Sequence, residues 1–140
     1  MERIESKYQA LIKSQNAFER ALQLYKNPPA IVDQALQEAL TASVIKHFEL
    51  FYETFWKYLK LYLNSKFGVD VTGSKTIFRA IHDQRLISEA ELKKLLEIVE
   101  IRNATTHVYD EERAKKLSMS IIDHFSVMKK IVQAVDPSHD

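Results

Sequence analysis

Between Arg102 and Asp110 the chain reads Arg102-Asn103-Ala104-Thr105-Thr106-His107-Val108-Tyr109-Asp110. Arginine clamps a phosphate with planar donors, and histidine moves protons near neutral pH. Together they suffice in kind for cleaving RNA. The imidazole takes or gives a proton while the guanidinium stabilises the extra charge of the phosphorane. On an unbroken helix Arg102 and His107 would point about 140° apart. Convergence therefore requires a helix end between them. Thr105 and Thr106 are β-branched and continue a helix poorly, and Asp110 is suited to start the next one. The chain is predicted to turn here and to crowd Arg102, Asn103, His107 and Tyr109 into one corner. The Arg-x4-His spacing is common by chance and alone assigns no activity.

Other candidates give way to plainer readings. Gly68-Val69-Asp70-Val71-Thr72-Gly73-Ser74-Lys75-Thr76 nearly spells a phosphate-binding loop, but Ser74 stands where the motif needs Lys, and a helix rather than a strand precedes it. The histidines His47, His82, His107, His124 and His139 lack metalloprotease spacing, and no acidic cluster completes a ligand set, so no protein-held metal is expected. His124 falls on an apolar helix face as a hydrogen-bonded core or interface residue; His47 and His82 read as surface residues and His139 as tail. Gln15 and Glu19 fall within an apolar stripe, where a stripe edge near solvent is the plainer reading and a cleft or a helix partner the alternative. In Glu111-Glu112-Arg113-Ala114-Lys115-Lys116 the acids precede the bases. That order suits the helix dipole and predicts the pairs Glu111–Lys115 and Glu112–Lys116. Lys115 and Lys116 could also help hold a phosphate chain.

The elements that position these residues are helical nearly throughout. Ile4, Tyr8, Leu11, Ile12, Phe18, Leu22 and Tyr25 recur at helical steps until Pro28-Pro29 stops them. A second helix is predicted from about Asp33, its cap, to Lys66, with Gly68 just past its end. Ser74 is expected to cap a short helix reaching about Gln84. Ser88 with Glu91 has capping-box spacing and opens a fourth, which should fray near Thr105-Thr106. Asp110 caps a last helix that reaches about Val135, before Pro137. In the second helix Val44, Ile45, Phe48, Phe51, Tyr52, Phe55, Trp56, Tyr58, Leu59, Tyr62 and Leu63 cover roughly 160° of arc, against about 100° for an ordinary stripe. Leu50 and Leu61 lie beyond it. Such a helix is the centre of a bundle or is shared with a second subunit.

Composition agrees. The chain has 140 residues, enough for one domain with a full core, and only Gly 2 and Pro 3, too few for the turns of an all-β fold. Cys 0 excludes disulfides, thiolate metal sites and a cysteine nucleophile. Lys+Arg 20 against Asp+Glu 19 leaves no whole-surface basic field, although a small basic site fits within that balance. The N-terminal residues lack the apolar core of a signal peptide, and Val44–Leu63 carries too many charges to span a membrane. The expected compartment is the cytoplasm.

These residues resemble a family. Arg102-Asn103-x-x-x-His107-x-Tyr109 resembles the R-x4-H-x-Tyr signature of the HEPN superfamily, in the branch of nucleotidyltransferase substrate-binding proteins or HepT-like toxins. Phe48-Glu49 with Trp56-Lys57, then Phe78-Arg79-Ala80-Ile81, then Tyr109-Asp110-Glu111-Glu112 are similar to that branch's other landmarks, in order across most of the chain. The resemblance implies a single all-α domain over residues 1–140. It would be an up-and-down antiparallel bundle that dimerises with two Arg/His sets facing one cleft. It implies a small partner nucleotidyltransferase that carries ATP and Mg, while this chain needs no cofactor of its own. Some relatives are metal-independent endoribonuclease toxins, silenced when the partner adenylylates the motif tyrosine. Others are non-catalytic companions that hold a nucleotide or polynucleotide. The first possibility makes Arg102 and His107 catalytic, Asn103, Lys115 and Lys116 supporting, and Tyr109 the modified residue. The second uses the same cleft for binding alone. A purely structural helical dimer ranks last.

Overall fold

The computed structural model describes residues 2–138, and its helices follow the local stop and start signals. Helix α1 spans Glu2–Lys26, α2 Gln34–Phe67, α3 Ser74–Asp83, α4 Glu89–Ala104 and α5 Glu111–Ala134, with a 3-10 turn at Thr105–His107. His139 lies outside the described residues. Asp33 and Asp110 cap α2 and α5 through their carboxylates, which accept from the backbone N–H groups of Leu36 and Arg113 at 2.8 Å. Gly68 closes α2 at φ +68°, a left-handed conformation that a side chain would strain.

Two local expectations are corrected. The cap of α3 is Gly73 at φ +89°, with no side-chain hydrogen bond, and Ser74 is the first helical residue. Its hydroxyl instead accepts from Tyr52 Oη at 2.6 Å. Nor does α4 fray at the threonines. Thr105 and Thr106 tighten the chain into the 3-10 turn, with their hydroxyls 2.8 Å from the carbonyls of Arg102 and Asn103.

Helix α2 is the hub. Phe48, Phe51, Tyr52, Phe55, Tyr58, Leu59, Tyr62 and Leu63 are all buried, because α1, α3 and α5 pack around it. The wide apolar arc thus has its explanation within one chain. Leu50 stays 54% exposed and Leu61 is half-buried. Aromatic contacts set the register: Tyr8 meets Tyr58 at 5.3 Å, and Phe18 meets Phe51 at 5.5 Å and Phe125 at 5.1 Å. Helices α1 and α2 are therefore antiparallel. The buried Tyr8 and Tyr58 hydroxyls donate to the Val132 and Val135 carbonyls at 2.8 and 2.6 Å, which ties the end of α5 to the core. Burial pushes both phenols upward, so they stay protonated donors.

Helix α4 runs back along α5. His124 lies 2.9 Å from Glu97 and 2.7 Å from the Ser120 carbonyl, the hydrogen-bonded histidine expected of that face. Lys129 reaches Glu19 at 3.0 Å, so Glu19 pairs with another helix. Gln15 is buried rather than at a stripe edge, and its Oε1 has no hydrogen-bond partner among the described residues. Glu112 pairs with Lys116 at 3.6 Å as expected. The Glu111–Lys115 pair does not form, and Glu111 Oε1 is buried without a partner among the described residues.

The start of α4 is held by a complete capping box. Glu91 N–H donates to Ser88 Oγ at 3.1 Å, and the Ser88 N–H donates to Glu91 Oε1 at 2.8 Å. Replacing Ser88 by Ala should cost about 1 kcal/mol in urea unfolding at neutral pH. The backbone N–H of Ser88, and then Lys130, hold the Glu91 carboxyl below its ordinary value. Its folded value is lower than its unfolded one, so its contribution is present at neutral pH and is lost as pH falls through the folded value. The stability gap between wild type and Glu91→Gln should therefore close in acid.

Candidate functional site

Arg102 sits in the last turn of α4, facing α2. Its Nη1 donates to Glu49 Oε2 at 3.2 Å and to Thr105 Oγ1 at 2.8 Å. Thr105 Oγ1 lies 2.7 Å from the same Glu49 oxygen and 2.8 Å from the Arg102 carbonyl, so its one proton is shared between two acceptors. The helix end thus fastens the guanidinium by a single nitrogen. Arg102 Nε is buried with no hydrogen-bond partner among the described residues. An orphaned donor of this kind costs about 1–3 kcal/mol unless something accepts from it. The guanidinium's other terminal nitrogen, Nη2, makes no hydrogen bond among the described residues and is the donor left for a ligand in the adjoining cleft.

That cleft has a volume of about 570 Å³. The last turn of α4 contributes Arg102 and Asn103 to its wall, the 3-10 turn after it Thr106 and His107, and Tyr52, Glu53 and Trp56 of α2 with Ser74 of α3 form the rest. The predicted turn therefore does what the spacing required: it brings Arg102 and His107 to one cavity. No hydrogen bond joins the two side chains among the described residues. His107 is exposed, and its Nδ1 lies 3.5 Å from Tyr109 Oη. The His107 Nε2 makes no hydrogen bond among the described residues, so it is open to a ligand.

Tyr109 is 75% exposed, with the Arg113 guanidinium 5.3 Å from its ring centroid. It is not a core residue supporting the turn. Asn103 is exposed at the cleft, whereas Lys115 and Lys116 are exposed on the first turns of α5 and are not part of the cleft wall. Sequence reading did not single out Glu49 as the partner of Arg102, nor Tyr52, Glu53 and Trp56 as cleft residues. The signal was their spacing: Glu49, Tyr52, Glu53 and Trp56 fall at steps of three and four, on one side of a helix. Burial is the main cause of a raised Tyr52 pKa, so its phenol remains a donor to Ser74.

Two other features bear on chemistry. Among the described residues no three His, Asp or Glu side chains gather as a metal-binding group. No helix among them is long and apolar enough to cross a membrane.

Comparisons with known proteins place the chain in a family and a fold. Residues 6–136 match the family described as nucleotidyltransferase substrate binding protein like. A solved structure of a protein from Thermus thermophilus is 25% identical with a TM-score of 0.69, covering 84% of this chain and 98% of that one. A tri-AMPylated HEPN toxin of Shewanella oneidensis, solved in complex with MNT antitoxin, has a TM-score of 0.67 at 16% identity. The match covers 91% of this chain and 97% of the toxin, and at that identity it shows a shared fold. Among curated proteins none matches the chain.

Proposed function

The chain belongs to the family of nucleotidyltransferase substrate binding protein like proteins, and from that premise we propose that it is the partner of a small nucleotidyltransferase and a metal-independent endoribonuclease. The observation that carries the catalytic part is the cleft shared by Arg102, whose Nη2 makes no hydrogen bond among the described residues, and His107, with its open Nε2. The likeness to a HEPN toxin bound to an antitoxin supports the toxin–antitoxin setting.

In this reading the His107 imidazole takes the proton of a ribose 2′-hydroxyl as that oxygen attacks the adjacent phosphorus. The bond from phosphorus to the 5′-oxygen breaks, and a second imidazole returns a proton to the leaving oxygen. The products are a 2′,3′-cyclic phosphate and a 5′-hydroxyl. Arg102 holds the phosphorane charge with the donors that Glu49 and Thr105 leave free. A homodimer with two Arg102/His107 sets on one cleft supplies the second imidazole. Sedimentation at micromolar concentration should then give a species of twice 16.3 kDa; a lone monomer would contradict it.

Regulation falls to Tyr109. Its phenol oxygen attacks the α-phosphorus of ATP on the partner, pyrophosphate leaves, and the phenol proton passes to the partner or solvent. ATP and Mg belong to the partner, and this chain brings the exposed acceptor. The experiment is incubation of single-stranded RNA with purified protein in EDTA. Wild type should cut it and His107→Ala should not, with unchanged helical content. A second reading, a substrate-binding companion without cleavage, is favoured by the family's own description. It predicts RNA or nucleotide binding that Arg102→Ala weakens, with no cleavage by wild type.

A further inference from the structure

A second cleft, of about 780 Å³, lies between α1, α2 and the loop that follows α2. Its volume is within the usual range for ligand sites, roughly 300–1,000 Å³. Four cations stand on its wall: Arg3, Lys7, Lys57 and Lys60. Lys60 is committed to the loop, 3.7 Å from Asp70 and 2.9 Å from the Val71 carbonyl. Arg3, Lys7 and Lys57 are exposed and form no ion pair among the described residues. Near-neutral net charge conceals this local excess.

The two clefts adjoin. Glu53 is part of the wall of both. Trp56, half-buried on the Arg102 side, is followed by Lys57 on the other, with the Lys57 ammonium 5.9 Å from the indole centroid. Glu53 accepts from the indole Nε1 at 3.3 Å, which orients the ring. Glu53, Trp56, Lys57 and Lys60 share one side of α2 and rise about 10 Å along it. The Tyr8–Tyr58 contact fixes the antiparallel register, so Lys7 lies nearer the Arg102 end than Arg3 does. The Trp56 indole on the Arg102 cleft, with the Lys57 ammonium over its ring, thus joins that cleft to a lane of cations without ion pairs among the described residues.

A cationic groove joined to a stacking side chain is the combination that holds single-stranded nucleic acid. We propose that the RNA cut at Arg102 and His107 continues over Trp56 into the α1–α2 cleft. One base stacks on the indole, and Arg3, Lys7 and Lys57 take the phosphates that follow. The location rests on the ribonuclease reading, but binding along the lane does not require cleavage.

The test uses full-length His107→Ala protein, so that RNA stays intact, and fluorescence anisotropy with two labelled single strands. One is a trinucleotide, which reaches only the Arg102 cleft; the other has about twelve nucleotides, within the range of single-strand sites. The triple change Arg3→Glu, Lys7→Glu, Lys57→Glu should weaken the long strand at least about tenfold at 0.1 M salt. It should flatten the slope of log affinity against log salt by about 2, as three lost phosphate contacts require. The trinucleotide should bind as before. Trp56→Leu should weaken the long strand about tenfold, and Trp56→Phe should restore most of it. Unchanged long-strand affinity and slope in a helical triple variant would overturn the lane. So would loss of transferase binding with RNA binding intact, which would make the surface a protein dock. If the long strand binds and the variants weaken it while wild type cuts nothing, the lane stands and the ribonuclease reading fails. If wild type cuts RNA while the variants bind it normally, the reverse holds.

Discussion

Adenylylation of Tyr109 is expected to abolish RNA cleavage, with activity falling by about 10²-fold or more, the scale on which acid–base catalysis is lost. The phenol oxygen lies 3.5 Å from His107 Nδ1, so any group added there stands against the imidazole. The added phosphate is also an anion beside His107, which shares its cleft with Arg102. It would compete with the substrate phosphate for the guanidinium donors that Glu49 and Thr105 leave free. One modification would block the base and neutralise the clamp. Exposure of 75% leaves the hydroxyl available to a partner enzyme. Mass spectrometry after incubation with the transferase and ATP should show the added mass in wild type and none in Tyr109→Phe. The variant should keep cleavage within about a factor of two, because the hydroxyl does not act on substrate in this mechanism. Labelling that persists in Tyr109→Phe would place the modification elsewhere.

The second large effect lies at the catalytic pair. His107→Ala should reduce cleavage about 10²–10⁴-fold. Its side chain is exposed and holds no structural contact beyond Tyr109 among the described residues, so the melting temperature should barely move. Arg102→Lys should also be strongly impaired, since an ammonium lacks the planar fork that gives one nitrogen to Glu49 and Thr105 and leaves another for a phosphate. Glu49→Gln is expected to do less harm, because Thr105 still holds Nη1. Its signature is a weaker response than Arg102→Lys in the same single-turnover assay. Equal losses in both variants would mean that the carboxylate, rather than the guanidinium, is what the reaction needs.

Much of this architecture is written locally. Asp33, Ser88 with Glu91, Asp110 and Gly68 each act within one helical turn, so their types alone locate the ends of α2, α4 and α5. The turn between Arg102 and His107 was legible for the same reason, through two adjacent threonines. At Ser74 the local signal misled, because Gly73 supplies the positive φ that opens α3 and the hydroxyl is drawn to Tyr52 across the bundle. The Arg102–Glu49 pair joins residues 53 positions apart, and no spacing rule reaches that far. The α1–α2 cleft is likewise illegible along the chain. Arg3 and Lys7 become neighbours of Lys57 only once Tyr8 has found Tyr58. Gln15 and Glu19 share one stripe, yet one is buried and the other meets Lys129 of α5, a difference that depends on the helices packed against α1.

The central claim is that Arg102 and His107 cut RNA by attack of its own 2′-hydroxyl. The most direct measurement is the chemistry of the new ends, read by mass spectrometry after wild-type protein has acted in EDTA on an RNA with one preferred cleavage position. A matched strand with a single 2′-deoxy residue at that position serves as comparison. The account predicts a 2′,3′-cyclic phosphate and a 5′-hydroxyl from the first strand, and no cut at that position in the second. A 5′-phosphate product, or equal cleavage of the 2′-deoxy strand, would contradict it.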